Sequence, residues 1–586
     1  MSITFFSVLS MLLLFLLPMG SNSLVSDVEL KLHERGNPIF SGGSGTKEDP
    51  YRISNVTQLQ NMSSNLSAHY ILINDINASK TKDWNSGAGF DPIGGIFTGS
   101  LDGQGFNISS LCINNNHENS LINIIGENGK VMNLNISGSF IGSYNLGGIT
   151  SINHGIINNC HINGEIVSEY DYVGGITGRN WRGKITNCTT DLRVLGDEKI
   201  GGLVGENNGG YIINCSSYGE ISGNMTIGGL VGVNSQDSVI NNSHSMTNIS
   251  GIRNIGGLTG FNLGSIYNCY SKNNISANKY FGGMVGRNYN YDIRNSFYCI
   301  DDSIINGKNI VTPYGIYRQQ FMDWKNQNKD LHIDDYLEKN TKTDYYNVSN
   351  VEDIKNMLPF ALEGEYKFNQ INNISLINEE EIFIPIFFSL IYDGGSFSLT
   401  GLNIHQQNNN ISLFGYVYKE SIIKNILLYE INISGLDNVG GLVGENYGHL
   451  ENCYIKGNIK GTNDTGGVVG RNNYCMIKNC SMTGNISGYG GYGGIGGIVG
   501  LNYNGVVDKC HTKCNVSGYS GVGGIFGGNV GYHSLVKNCS TNVNVNADKT
   551  IGGFGGGNIE GDVFKCYSKG TVKGRRTNGG FIGKNI

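Results

Sequence analysis

The stretch NIGGLTGFNLGSIYNCYSKNNIS, residues 254–276, contains a glycine pair, an asparagine five residues after it, and a cysteine directly behind another asparagine. Near copies recur through most of the chain. The glycine pairs end at Gly148, Gly175, Gly202, Gly229, Gly257 and Gly283, and again at Gly441, Gly467, Gly497, Gly524, Gly553 and Gly580. The spacing is about 27 residues, which marks a repeat architecture. Five residues past each pair stands an asparagine: Asn153, Asn180, Asn207, Asn234, Asn262, Asn288, Asn446, Asn472, Asn502, Asn529, Asn558 and Asn585.

Within one unit the apolar or alternating runs are short and separated by Gly and Asn, so each unit is expected to form two or three short strands joined by turns. A single unit cannot bury its own apolar side, whereas stacked units can. The expected fold is therefore all-β, a parallel β-helix or β-solenoid of about 27-residue coils rising about 4.8 Å each. Glycine pairs are expected at turns needing positive φ or close backbone approach. The recurring Asn is expected to stack in register, amide on amide, as in cross-β ladders.

A second column consists of Cys160, Cys188, Cys215, Cys269, Cys453, Cys480, Cys510, Cys539 and Cys566, with Ser243 and Ser296 in two coils. If Cys points inward, strand alternation points the preceding Asn outward. Stacked Cβ atoms about 4.8 Å apart exceed the usual disulfide spacing of about 3.5–4.5 Å, so a buried reduced column is expected. A disulfide framework is the alternative that a secreted address supports. A catalytic thiol needs one special environment, and this cysteine occurs in nearly every coil.

The composition agrees with short strands and tight turns. Glycine accounts for 88 of 586 residues, charged residues for 15%, and the net charge is −6. No basic block is present to neutralise phosphates, which argues against nucleic-acid binding. The N-terminus has an apolar run from about Phe5 to Pro18 followed by small residues. Residues 1–23 read as a secretory signal peptide, with a short N-terminal anchor as the alternative. No further transmembrane anchor is apparent, so an extracellular or cell-surface address is expected. Many Asn-x-Ser/Thr sequons fit that address, although glycans on Asn187 and Asn214, in consecutive coils, would collide.

The repeats fall into two arrays with similar lead-ins. DPYRISNVTQLQNM, from residue 49, parallels DYYNVSNVEDIKNML, from residue 344. Each lead-in reads as strand, short helix, strand, with Ser349 and Glu352 as a capping box in the second. The expected organisation is a cap and irregular coils over 40–145, a first array over 146–299, and a closing or linking segment over 300–345. A second cap follows over 346–436, then a second array over 437–586, whose final coil is expected to be frayed or covered.

The element GG-Φ-Φ-G-x-N, as in GGLVGEN at 201–207 and 440–446, resembles the GLUG motif of large extracellular and surface proteins. That resemblance implies surface exposure and, in some relatives, attachment to adhesive or metallopeptidase regions; it implies no catalytic residue. A zinc peptidase motif needs two histidines one helical turn apart, and the nearest approach, HENSL at 117–121, lacks the second. Asp171, Asp197, Asp237 and Asp292 are scattered over different unit positions and read as solvated turn charges. Asp301, Asp302, Asp334 and Asp335 lack EF-hand spacing. No catalytic residue, metal site or cofactor is expected.

Directly after the ladder Asn stand Trp181, Tyr289, Tyr447 and Tyr503, a partial aromatic column suited to stacking on sugar rings or anchoring a protein. The sequence thus leads to a secreted or surface-displayed, non-enzymatic adhesive or structural binding rod. Its expected partner is a surface glycan or an extracellular protein. A carbohydrate-active β-helix enzyme and a passive spacer are the alternatives.

Overall fold

The computed structural model describes residues 39–115, 120–289, 292–327, 331–361, 365–377, 387–491 and 493–586. The proposed signal peptide and His117 of the HENSL stretch lie outside these residues. The fold is a parallel β-solenoid with three faces, built as two modules. The first module has sheets of ten, sixteen and eight strands, and the second has sheets of nine, twelve and eight. Every pairing between named strands is parallel and joins one coil to the next, as when Thr177, Arg179 and Asn180 meet Val204, Glu206 and Asn207.

The ladder Asn stands at or one residue before the end of six of the eight strands in each eight-stranded face. Asn207 is fully buried, donates one amide proton to Asn234 Oδ1 (3.0 Å) and the other to the Gly210 carbonyl (3.1 Å), and accepts from Asn180 Nδ2 (2.8 Å). The Asn207 amide is thus satisfied by the next coil and by its own turn, as are those of Asn180, Asn446, Asn472 and Asn502, a pair of roles that neither Asp nor Ser can fill. In the first module the ladder runs from Asn153 to Asn288, whose amide donates to the Tyr314 hydroxyl (3.3 Å). In the second it runs from Asn446 to Asn585.

The glycines of GG-Φ-Φ-G are there for close approach. A Cβ on Gly175 would lie 2.2 Å from the Gly202 carbonyl oxygen of the next coil, and one on Gly205 would lie 2.7 Å from the backbone of Tyr172. Of the two roles expected at the glycine pair, close approach is the one it has; the positive φ belongs instead to the residue two positions before it, such as Tyr172, Lys199, Thr226 and Asn254.

The Asn-Cys pair is a corner, not two successive strand residues. Asn159, Asn187, Asn214, Asn242 and Asn268 adopt left-handed φ of 48–55°, a conformation Asn tolerates better than most residues. Their side chains form a second, exposed ladder, as from Asn214 to Asn187 (3.1 Å) and from Asn242 to Asn214 (2.7 Å). A glycan on Asn214 would take one of the two protons of the amide that donates to Asn187. In the first module this ladder ends on Trp324, whose indole donates to Asn295 Oδ1 (2.5 Å) while its ring packs edge-on against Phe297.

The corner turns the following Cys inward, where its sulfur does more than fill space. The backbone N–H of Cys188 donates to Cys215 Sγ (3.5 Å), and that of Cys215 donates to Ser243 Oγ (3.0 Å). Cys215 Sγ and Ser243 Oγ each donate in turn to the carbonyl two residues earlier. This explains why Ser replaces Cys in the column. All thirteen cysteines are free thiols, and burial pushes Cys269, which lies between two serine coils, up to about 12.

The lead-ins start each module. Tyr51–Ile53 pairs with the strand His69–Leu72, and Tyr345–Val348 pairs with Lys367–Gln370. The helix Val351–Met357 is capped one residue later than expected. Asn350 Oδ1 accepts from the Asp353 N–H (3.0 Å), and Asp353 reaches back to the Ser349 backbone and hydroxyl (2.7 and 2.6 Å). The shift follows from the first copy's pattern, in which Asn55 caps and Gln58 returns to Ser54. No helix among the described residues is long and apolar enough to cross a membrane.

Cys215→Ser should leave stability within about 1 kcal/mol of the parent, while Cys215→Ala should cost about 1–3 kcal/mol by stranding the Cys188 N–H. Urea titrations followed by circular dichroism would show the difference.

Candidate functional site

The residue after each ladder Asn begins the turn that the Asn side chain pins, so its own side chain projects at the rim of the face. Trp181 is 42% exposed and Tyr289 53%, while Tyr447 and Tyr503 are half-buried. The structure does not bring the four together. Trp181 and Tyr289 are four coils apart, about 19 Å along the axis. Trp181 packs on His154, the residue after ladder Asn153 (6.3 Å), and the other three pack on rings from outside the column: Tyr289 on Phe261 (5.4 Å), Tyr447 on Tyr416 (5.3 Å) and Tyr503 on Tyr474 (5.5 Å).

A cavity lies beside Tyr289, where one module meets the next. Val285–Asn288 is the last strand of the first module's eight-stranded sheet, and Phe414–Val417 belongs to a separate sheet. Along the adjoining corner the chain bridges the two modules. Tyr280 N–H donates to the Gln407 carbonyl (3.0 Å), and Asn408 exchanges side-chain hydrogen bonds with the Phe281 backbone (2.8 and 2.7 Å). One rung is therefore present at the corner and missing from the face. The gap is a cavity of about 300 Å³ lined by residues including Tyr280, Arg287, Tyr289, Asn410, Asn438 and Glu445.

Opposite Arg287, Glu445 accepts from the Tyr447 hydroxyl (3.2 Å) and from Asn473 Nδ2 (3.2 Å). Burial raises its carboxyl, opposed by Arg471. Tyr289 and Tyr447 thus attach to the two walls of one cavity, Tyr447 through Glu445. The sequence reading passed over Arg287 and Glu445. The signal that could have found them is the position directly before the ladder Asn, where Arg179, Glu206, Val233, Phe261 and Arg287 succeed one another.

The charged positions named from the sequence have local roles. Asp292 accepts from Ser265 (2.8 Å) and Tyr267, Asp302 pairs with Lys272 (3.2 Å), and Asp197 accepts from Asn224 (2.5 Å). Among the described residues no group of His, Cys, Asp and Glu could hold a metal ion.

One coil beyond the cavity, the buried Asp464 pairs with Arg471 (3.3 Å), yet burial raises its carboxyl to about 6. The folded state holds this proton more tightly than the unfolded chain does, so stability is lost as pH rises from about 4 through about 6. Asp464→Asn should be neutral near pH 3.5 and stabilising at pH 8. The ceiling is roughly 3 kcal/mol, with the opposing Arg471 attraction already contained in the value of about 6. Melting temperatures at the two pH values check this.

With the geometry in place, comparison with known proteins shows what the repeats are. The family model described as the GLUG motif matches residues 435–460 and 461–487. These are tandem GLUG repeats. Among curated proteins the chain is 39% identical over 147 residues to halomucin of Haloquadratum walsbyi, covering 23% of this chain and 2% of halomucin. It is 37% identical over 135 residues to a protein of Evansella cellulosilytica described as a Gly-rich membrane protein, covering 21% of this chain and 16% of that protein. The chain thus spans a small part of either relative. Among solved structures, one from Bacteroides ovatus described as an immunoglobulin A1 protease aligns with a TM-score of 0.37 at 21% identity, over 52% of this chain and 94% of that one.

Proposed function

We propose that this GLUG-repeat chain is a secreted or surface-displayed, non-enzymatic binding rod, whose solenoid presents an adhesive site at the junction of its two modules. The observation that carries this reading is the junction cavity, with the exposed Tyr289 at its rim and amide side chains in its walls. Aromatic faces beside convergent polar groups are the usual composition of a recognition pocket. The names of the two curated relatives, a mucin-like protein and a membrane protein, support a surface address.

Binding is favoured over hydrolysis by the carboxylate inventory. Glycoside hydrolysis uses two carboxyl groups flanking the scissile bond. Among the described residues Glu445 is the one carboxylate lining the cavity, and it is held by Tyr447 and Asn473.

The mature chain applied to a broad glycan and matrix-protein array should give specific binding. Binding should fall at least tenfold in a Tyr289→Ala, Tyr447→Ala, Tyr503→Ala triple variant whose circular dichroism matches the parent. Absence of any specific binding would move the reading to a passive scaffold.

A further inference from the structure

The junction cavity differs from the rest of the solenoid surface in how its charges are arranged. Elsewhere on the eight-stranded faces, outward arginines are paired with acids: Arg179 with Glu206 (3.2 Å) and Arg471 with Asp464 (3.3 Å). Arg287 occupies the same register position as Arg179, four coils on, and among the described residues it has no ion-pair partner. Its guanidinium carbon lies 5.1 Å from the Tyr280 ring centre and 4.9 Å from that of Tyr289, and it donates to the Tyr289 hydroxyl. Two aromatic faces hold the cation without neutralising it. Arg253 and Lys279, outside the cavity lining, lie 5.0 and 4.9 Å from the same Tyr280 ring, so three cations surround this ring.

The opposite wall supplies groups for a polyhydroxylated ligand. Asn438 donates to Asn410 Oδ1 (2.8 Å), and the Glu445 carboxylate accepts from Tyr447 and Asn473. Remaining lone pairs and amide protons on this wall can exchange hydrogen bonds with sugar hydroxyls. A volume of about 300 Å³ sits at the small end of ligand sites and suits one or two sugar rings. A guanidinium fork matches a carboxylate bidentately. The Glu445 carboxylate across the cavity disfavours a more highly charged anion such as a phosphate monoester.

Resting on the reading of the chain as a binding rod, we propose that the junction cavity recognises the carboxylate-bearing sugar residue of an acidic polysaccharide. The carboxylate pairs with Arg287, the ring lies against Tyr289, and hydroxyls meet Asn438 and Glu445. Among the described residues the missing rung occurs once, so recognition is monovalent for each two-module unit.

The test is titration calorimetry of the intact mature chain with oligosaccharides containing glucuronate, galacturonate or sialic acid, each beside its methyl ester. At least one acid form should bind, and its neutral ester should bind at least tenfold more weakly. Arg287→Gln should lose at least tenfold for the acid form, while Tyr211→Ala, an exposed aromatic on the ten-stranded face, should bind as the parent does. Equal binding of acid and ester, or full binding by a folded Arg287→Gln variant, overturns the proposal. If Arg287→Gln fails to fold, the comparison of acid with ester on the parent decides alone. Binding of neutral glycans only would overturn this assignment while leaving the binding-rod reading intact; binding of no glycan or protein would remove both.

Discussion

The buried asparagine ladder is the constraint on which the rest of the structure depends. A carboxamide in this ladder must find two acceptors and a donor away from water, and it finds them in its own turn and in the coils above and below. This requirement fixes register, because a coil displaced by one residue would bury unpaired amides as well as turn its apolar side chains outward. The glycines follow from it. Coils held this closely leave no room for a Cβ at Gly175 or Gly205. The Cys and Ser column applies the same logic at another corner, where a side-chain sulfur or oxygen satisfies a backbone N–H that the turn would otherwise strand.

The site arises where this regularity stops. Asn288 hands its amide proton to Tyr314 instead of to another Asn, and Val417 occupies the position in register with Asn446. Neither continues the ladder, so the two modules meet along the corner at Phe281 and Asn408 but leave the adjoining face open. The cavity, its unneutralised arginine and its aromatic rim are consequences of a broken repeat. In a protein whose surface otherwise repeats every coil, the break is where a single distinctive site can form.

The fold was legible because a strict period carries its own physics. Spacing of Gly and Asn at about 27 residues leaves few alternatives to a stacked parallel solenoid, and tandem GLUG matches agree with it. What stayed hidden was local. The left-handed Asn at each corner looked like an alternating strand residue, since sequence does not reveal the sign of φ at a residue other than glycine. The cap of Val351–Met357 was misplaced by one residue because Ser349 and Asn350 are both competent N-caps. Arg287 and Glu445 were missed for a different reason. They are unremarkable members of outward columns, and they become a site only because 406–411 brings the second module against the end of the first.

The most direct test of the ladder's primacy is to compare Asn207→Ala with Asn242→Ala by urea unfolding. Both residues lie in adjacent coils of the first module and both stack amide on amide, but Asn207 is buried and Asn242 exposed. If the buried ladder holds the coils in register, Asn207→Ala strands partners on both sides and should cost about 3–5 kcal/mol, against about 1 kcal/mol for Asn242→Ala. Equal costs for the two substitutions, or a small cost at Asn207, would contradict the account and shift the weight to apolar stacking alone.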